Sequence, residues 1–140
     1  MSETIQAVEA EAGDVVFFDT GEARQKKVER ERMAIDKLRT MLPAPTGEEV
    51  HALWHEFEEG QTGEARFARA LDNLEVQIQH NFASIETWEA IEYGLTYTKT
   101  GRYAEHDGFL RSFAEAVIAA GERKMRAAGV DVVSVRERAL

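Results

Sequence analysis

The chain has 140 residues, 44% of them hydrophobic, no cysteine, and a formal net charge of −9 at pH 7. This length suits one domain with a modest core, and the absence of cysteine excludes disulfides, thiolate metal sites and a cysteine nucleophile. The acidic balance disfavours nucleic acid, no run of about 18 apolar residues is present to span a membrane, and the N-terminus does not resemble a signal peptide, so we expect a cytoplasmic protein.

The predicted elements are almost all helices, because strand-like alternation is nearly absent from the sequence. Residues 2–12 predict a short helix, and the apolar run 15–18 predicts a buried loop or a short extended piece. Thr20 is suited to cap the next helix, over 22–42, and Pro43 ends that helix.

Four further helices follow in chain order. Thr46 and Glu49 form a Thr-x-x-Glu capping box at the start of the first of these helices, and Asp107 is placed to cap the last. The predicted helices cover 46–60, 64–81, 84–97 and 108–128. The predicted fold class is therefore all-α, a compact bundle of five to six helices, with a single domain over 1–128 and a flexible tail over 129–140.

The helix over 64–81 carries an acidic group in an unusual place. Its apolar face is centred on Phe67, Leu71, Leu74 and Ile78. Its solvated face is predicted to hold Arg66, Arg69, Asn73, Gln77 and His80. At roughly 100° per residue, Asp72 falls beside the apolar face. A carboxylate beside a core is costly unless it is paired or bound to a cation. Asp72 is therefore a metal-ligand candidate, and the alternatives are an ion pair with an arginine or a wet edge of the interface.

Several short motifs occur in a fixed order along the chain. They are Glu9 followed by Gly13-Asp14, Leu53-Trp54-His55-Glu56-Phe57, Glu64-Ala65-Arg66-Phe67, Leu71-Asp72-Asn73-Leu74-Glu75 and Thr87-Trp88-Glu89-Ala90-Ile91-Glu92-Tyr93. Together they resemble the HD-domain phosphohydrolases of the 5′-deoxynucleotidase type, over roughly residues 5–120. The resemblance implies a helical domain that hydrolyses a phosphate ester with the help of a divalent metal.

The resemblance also implies roles for individual residues. The family holds its metal through a His, then a His-Asp pair, then a distant Asp, and Asp72 matches the distant Asp. Glu9 matches the family's acidic catalytic residue, and Asp14 matches an Asp that positions water or substrate. Ile5 and Gln6 stand where the His-Asp pair belongs, and the first His would lie further upstream. Three of the four expected ligands are therefore missing, and the implied cofactor is Mn, Co, Mg or Zn if the site is completed.

The histidines that are present do not replace these ligands. The dipeptide His106-Asp107 follows the distant Asp, whereas the family places the pair before it, and Asp107 is better explained as a helix N-cap. His51 and His55 lie four residues apart on one helix face. They are either a possible metal pair or exposed polar residues. His80 is predicted on a solvated helix face.

Three interpretations of function remain open. The first is a truncated or degenerate HD-type phosphohydrolase acting on nucleoside monophosphates or similar phosphate esters, with the missing ligands supplied by a partner chain or by upstream sequence. The second is a catalytically inactive helical scaffold, which works as a homo-oligomer or with a partner chain that covers exposed apolar surface. The third is an unrelated helical protein.

Overall fold

The computed structural model describes residues 4, 7 and 21–140, without the side chains of 22–24. Its helices are α1 (Glu22–Met41), α2 (Thr46–Glu59), α3 (Gly63–Phe82), a short 3-10 helix (Ile85–Thr87), α4 (Ala90–Thr98), α5 (Gly108–Ala127) and α6 (Val132–Ala139). The described residues contain no strand, so the all-α prediction is confirmed. None of the described helices combines the length and the apolar character needed to cross a bilayer. The predicted run 15–18 and most of the predicted helix 2–12 lie outside the described residues.

The chain divides into two units, Met1–Ala65 and Arg66–Leu140. In the first unit, α1 packs against α2 around a small core of Ala34, Ile35 and Trp54. These large apolar side chains are withdrawn from water at the contact between the two helices, and their burial holds the pair together.

The helix start and stop signals predicted from the sequence are confirmed only in part for the first two helices. α1 ends before Pro43, because proline has no N–H to continue the helix. α2 ends at Glu59, and Gly60 follows with a left-handed φ of 62°, a conformation that turns the chain out of the helix and that glycine adopts at little cost. The predicted capping box of Thr46 and Glu49 is wrong: Pro45 occupies the N-cap position, and no side chain caps this helix.

The second unit has a core shared by α3 and α5. It is built from small and medium apolar side chains: Ala70, Leu74, Ala104, Leu110, Ala114 and Val117. The predicted N-cap of α5 is confirmed, because Asp107 Oδ1 accepts a hydrogen bond from the backbone N–H of Leu110 at 2.9 Å. This bond fixes where α5 begins relative to its buried face.

The predicted helix over 84–97 is interrupted. The 3-10 helix comes first, then Trp88 adopts an extended backbone conformation, and α4 follows. The indole of Trp88 is buried, and its Nε1 donates to the carbonyl of His80 at 3.0 Å. Glu89 and Glu92 then form a capping box that starts α4. Burial of one tryptophan therefore overrides the local preference for a continuous helix.

The expected flexible tail over 129–140 differs from the structure, which has a helix there. Asp131 caps α6 by accepting hydrogen bonds from two backbone N–H groups of its first turn. Val132 is buried in a cluster with Met125 and Trp88. The cap and this apolar contact together explain why the segment is helical. The domain boundary 1–128 stays a prediction.

Candidate functional site

The buried face of α3 is not centred where its apolar pattern places it. Ala70, Leu74 and Gln77 are buried, while Phe67 and Leu71 are 42% and 37% exposed. The sequence pattern predicts Gln77 on the solvated face, yet it is only 3% exposed. Packing against α5 therefore selects a face of α3 that includes a polar residue.

Asp72 lies on α3 and is exposed. An exposed carboxylate keeps its hydration, so burial beside the core does not force it to bind a cation. The case for Asp72 as a metal ligand therefore rests on the family resemblance. Glu75 is also exposed and accepts a hydrogen bond from Gln79, one turn further along the helix.

Of the predicted site residues Glu9, Asp14 and Asp72, the structure describes Asp72. Glu9 and Asp14 lie outside the described residues, so their positions relative to Asp72 stay predictions. Within the part of the chain that the structure describes, no three His, Asp or Glu side chains form a group that could hold a metal ion. The described donors thus offer at most one ligand of the expected HD site.

Two histidines of α2, in the first unit, have their rings in contact with each other. Nε2 of His51 lies 3.3 Å from Nε2 of His55, and the two rings are inclined by 61°. Nε2 of His51 also lies 3.0 Å from Oδ1 of Asp36 on α1. The ring of His55 packs edge-on against Trp54, with centroids 4.9 Å apart. The sequence signal for this arrangement is the spacing of four residues, which places both rings on one helix face.

The other two histidines have structural partners. Nδ1 of His106 lies 2.9 Å from the carbonyl of Tyr103 in the turn before α5. His80 is half-buried, with Nε2 3.2 Å from Oε1 of Glu92 and its ring beside Trp88. The prediction of a solvated position for His80 is therefore wrong, because its imidazole packs beside the buried indole of Trp88 and contacts Glu92 of α4.

A buried polar cluster in the second unit was not predicted. Nε2 of Gln77 donates to Oδ1 of Asn81 at 3.0 Å, and Nδ2 of Asn81 donates to the carbonyl of Val117 at 3.0 Å. The hydroxyl of Thr100 contacts Oε1 of Gln77 at 3.5 Å. Every buried side-chain nitrogen and oxygen among the described residues has a partner. This satisfied network joins α3 to α5 and is structural.

Comparison with known proteins identifies the family. A family model described as "HD domain" matches residues 7–110, which is more than half of the chain. The chain belongs to the HD domain family. The matched region of this HD domain includes Glu9, Asp14 and Asp72, whereas Ile5 and Gln6 precede it. The resemblance found in the sequence is therefore confirmed at the level of the family.

Two curated proteins are similar to part of this HD-domain chain. The 5'-deoxynucleotidase HDDC2 of Xenopus laevis is 35% identical over 90 residues, which cover 64% of this chain and 39% of the frog protein. The 5'-deoxynucleotidase HDDC2 of Bos taurus is 34% identical over 67 residues, or 48% of this chain and 32% of the bovine protein. The HD-domain chain thus spans less than two thirds of either relative. No solved structure matches it.

Proposed function

We propose that this HD-domain chain belongs to a phosphohydrolase that acts on nucleoside monophosphates or similar phosphate esters. The observation that carries the proposal is the family match over residues 7–110, which contains Glu9, Asp14 and Asp72 in the expected order. The names of both relatives, which state 5'-deoxynucleotidase, support a nucleotide as the substrate. In this proposal Asp72 is a metal ligand, Glu9 is the acidic catalytic residue, and Asp14 helps to position water or substrate.

The donors of this chain alone do not fit a complete HD metal site. Ile5 and Gln6 occupy the positions expected for the His-Asp pair, and an isoleucine side chain has no atom that binds a metal. A single carboxylate such as Asp72 holds a divalent cation weakly, because affinity requires several fixed ligands. We therefore assign no reaction step to a metal. Phosphohydrolase activity requires ligands from a partner chain or from other polypeptide.

Phosphate release is the direct test of the proposal. The full chain is incubated with deoxynucleoside 5′-monophosphates and Mn²⁺, Co²⁺, Mg²⁺ or Zn²⁺, and inorganic phosphate is measured. Asp72→Asn removes the charge without changing the side-chain volume, and we expect it to reduce the rate at least about a hundredfold. Glu115→Gln is the matched control, because Glu115 is an exposed carboxylate on α5. Equal activity of both variants contradicts the role of Asp72. No release by the unmodified chain is the result expected if the missing ligands must come from other polypeptide, and shows that the chain does not complete the site by itself.

The missing donors favour a second candidate, an inactive HD-like scaffold that assembles with itself or with a partner. Large apolar side chains remain exposed in both units, among them Met33 at 72% and Phe82 at 87%. Such side chains are common at surfaces that bind other proteins. Analytical ultracentrifugation of the metal-free chain tests this candidate. A stable oligomer without phosphate release supports it, and a monomer at all concentrations argues against self-assembly.

A further inference from the structure

His51 and His55 bring two metal-binding nitrogens close together on one face of α2. Both residues belong to α2 and both are half-buried, with 20% of the His51 side chain exposed. The ring of His55 is held edge-on by the buried Trp54. The Nε2 atoms are 3.3 Å apart. Because both rings are half-buried on one helix face, part of their side-chain entropy is already lost before an ion binds.

The distance between these nitrogens matches the geometry of a bound ion. Zinc is bound by histidine nitrogen at about 2.0–2.1 Å. Two nitrogens 3.3 Å apart then subtend an angle of about 105–110° at the ion. This is the angle between ligands in tetrahedral coordination. The ring centroids are 4.4 Å apart, which is too close for both lone pairs to point at one ion, so the rings must turn about their side-chain bonds before they supply two of four tetrahedral positions.

The two hydrogen bonds at Nε2 of His51 compete for one ring proton. Nε2 of His51 lies 3.0 Å from Oδ1 of Asp36 and 3.3 Å from Nε2 of His55. A neutral imidazole carries one proton, on one of its two nitrogens. If His51 donates that proton to Asp36, its Nε2 has no lone pair left to accept a bond from His55. A cation bound by the lone pairs of both rings would replace this shared proton, and the carboxylate of Asp36 would then face the ion instead of a ring N–H.

The chemistry of the two donors defines the class of metal. Imidazole nitrogen favours Zn²⁺, Ni²⁺, Cu²⁺ and Co²⁺ over Mg²⁺ and Ca²⁺, which prefer oxygen. In the described residues no third donor stands in place, so water fills the remaining positions. The side chain of Asp36 is 71% exposed, and its Oδ1 lies 3.0 Å from Nε2 of His51. Its negative charge would therefore lie near a bound ion.

We propose that His51 and His55 bind one transition-metal ion, with Zn²⁺ as the reference ion, through donors that do not include Asp72. The site is a two-nitrogen chelate with open coordination positions. It does not depend on phosphohydrolase activity, so it remains testable if the proposed function fails.

The test is a zinc titration of the full chain without a histidine tag, followed by calorimetry and by competition with a chromogenic chelator. We expect one Zn²⁺ per chain, with binding weakened at least tenfold in His51→Ala and in His55→Ala. His106→Ala is the matched control, because His106 is exposed and remote in sequence, and its zinc affinity should be unchanged. Far-UV circular dichroism confirms that each variant keeps its helices.

Imidazole resonances give a second readout that does not rely on substitution. Zinc should shift the ring signals of His51 and His55 and leave those of His80 and His106 unchanged. Absence of zinc binding, or equal affinity in His51→Ala and the unmodified chain, overturns the proposal. Zinc binding lost in Asp72→Asn but kept in both α2 variants overturns it as well, because the ion then occupies the other site.

Discussion

Gly121 lies on α5 where α3 and α4 come closest to it, and replacing it with alanine tests the packing of the second unit. A Cβ at this position would lie 3.0 Å from Oδ1 of Asn81, 3.2 Å from Nε2 of Gln77 and 3.3 Å from Cγ2 of Thr96. All three distances are shorter than ordinary van der Waals contacts. Thr96 is completely buried and Gln77 nearly so, so these neighbours have little room to move.

The expected magnitude follows from two opposing effects. Replacing glycine by alanine inside a helix favours folding by about 1 kcal/mol. Overpacking a filled site costs about 1–3 kcal/mol. Displacing Asn81 also weakens its hydrogen bonds to Gln77 and Val117, each with a net contribution of about 1 kcal/mol. The cost exceeds the gain, and we expect Gly121→Ala to lower the free energy of unfolding by about 1–2 kcal/mol.

Gly94 provides the matched control in the same unit. It lies inside α4, and a Cβ there would meet only the Cβ of Ala139 at 3.7 Å, an ordinary contact. At this position the higher helix propensity of alanine stabilises the protein without overpacking its surroundings. We expect Gly94→Ala to raise the free energy of unfolding by about 0.5–1 kcal/mol. One chemical change should therefore have opposite effects at the two positions.

Urea unfolding followed by tryptophan fluorescence measures both effects. The chain has two tryptophans, Trp54 in the first unit and Trp88 in the second, so a Trp54→Phe background makes fluorescence report on the second unit alone. With a slope of about 1–3 kcal/mol per molar urea, a loss of about 1–2 kcal/mol should lower the midpoint by about 0.3–2 M in Gly121→Ala, and the midpoint should rise in Gly94→Ala. Equal stabilisation by both changes would refute the close approach at Gly121.

Three further predictions concern single polar groups. Burial raises the pKa of Glu31 above its ordinary value of 4.5, so its stabilising contribution is present below that value and is lost as pH rises through the raised pKa. Glu31→Gln should therefore stabilise the first unit more at about pH 7 than at about pH 4, and urea titrations giving the same effect at both pH values contradict this. Burial, followed by the hydrogen bond to Glu122 and the charge of that carboxylate, raises the pKa of Tyr97 to about 12 from 10.0. The stability from Tyr97 is lost as pH rises from its ordinary to its raised pKa, and ultraviolet titration should show one late tyrosine that Tyr97→Phe removes. Asp107→Ala removes the N-cap of α5 and should cost about 1 kcal/mol in urea unfolding, whereas Asp107→Asn retains most of this stability.

The sequence predicts helix ends well where a single residue controls the backbone. α1 ends before Pro43, which has no backbone N–H, and α2 ends before Gly60, which has a left-handed φ. Asp107 caps α5 through its own side chain. Thr46 carries an equally good cap signal, yet the chain enters α2 one residue earlier. The interruption before α4 depends on burial of Trp88, a tertiary contact that local preference does not contain.

The candidate sites differ in how much of each one the sequence predicts. Asp72 stays a predicted metal ligand that rests on motif order. Its exposure shows that periodicity alone does not specify which face of α3 is buried. Gln77 is buried because its amide finds partners in Asn81 and Thr100. For His51 and His55 the spacing predicts a shared helix face. The approach of the two Nε2 atoms depends on rotamers that the surrounding packing selects.

The two proposed metal positions differ in donor chemistry, and this difference separates the two functional proposals. A carboxylate such as Asp72 favours Mn²⁺ and Mg²⁺, whereas the imidazoles of His51 and His55 favour Zn²⁺ and Ni²⁺. Zinc bound through the histidines, without manganese, would show that the site on α2 exists and that Asp72 does not hold an ion in this chain by itself. Manganese retained when both histidines are replaced, and lost in Asp72→Asn, would show that other polypeptide completes the HD site. Cobalt binds to both carboxylate and imidazole donors. The amount of cobalt bound per chain should therefore fall once when Asp72 is replaced and again when His51 and His55 are replaced.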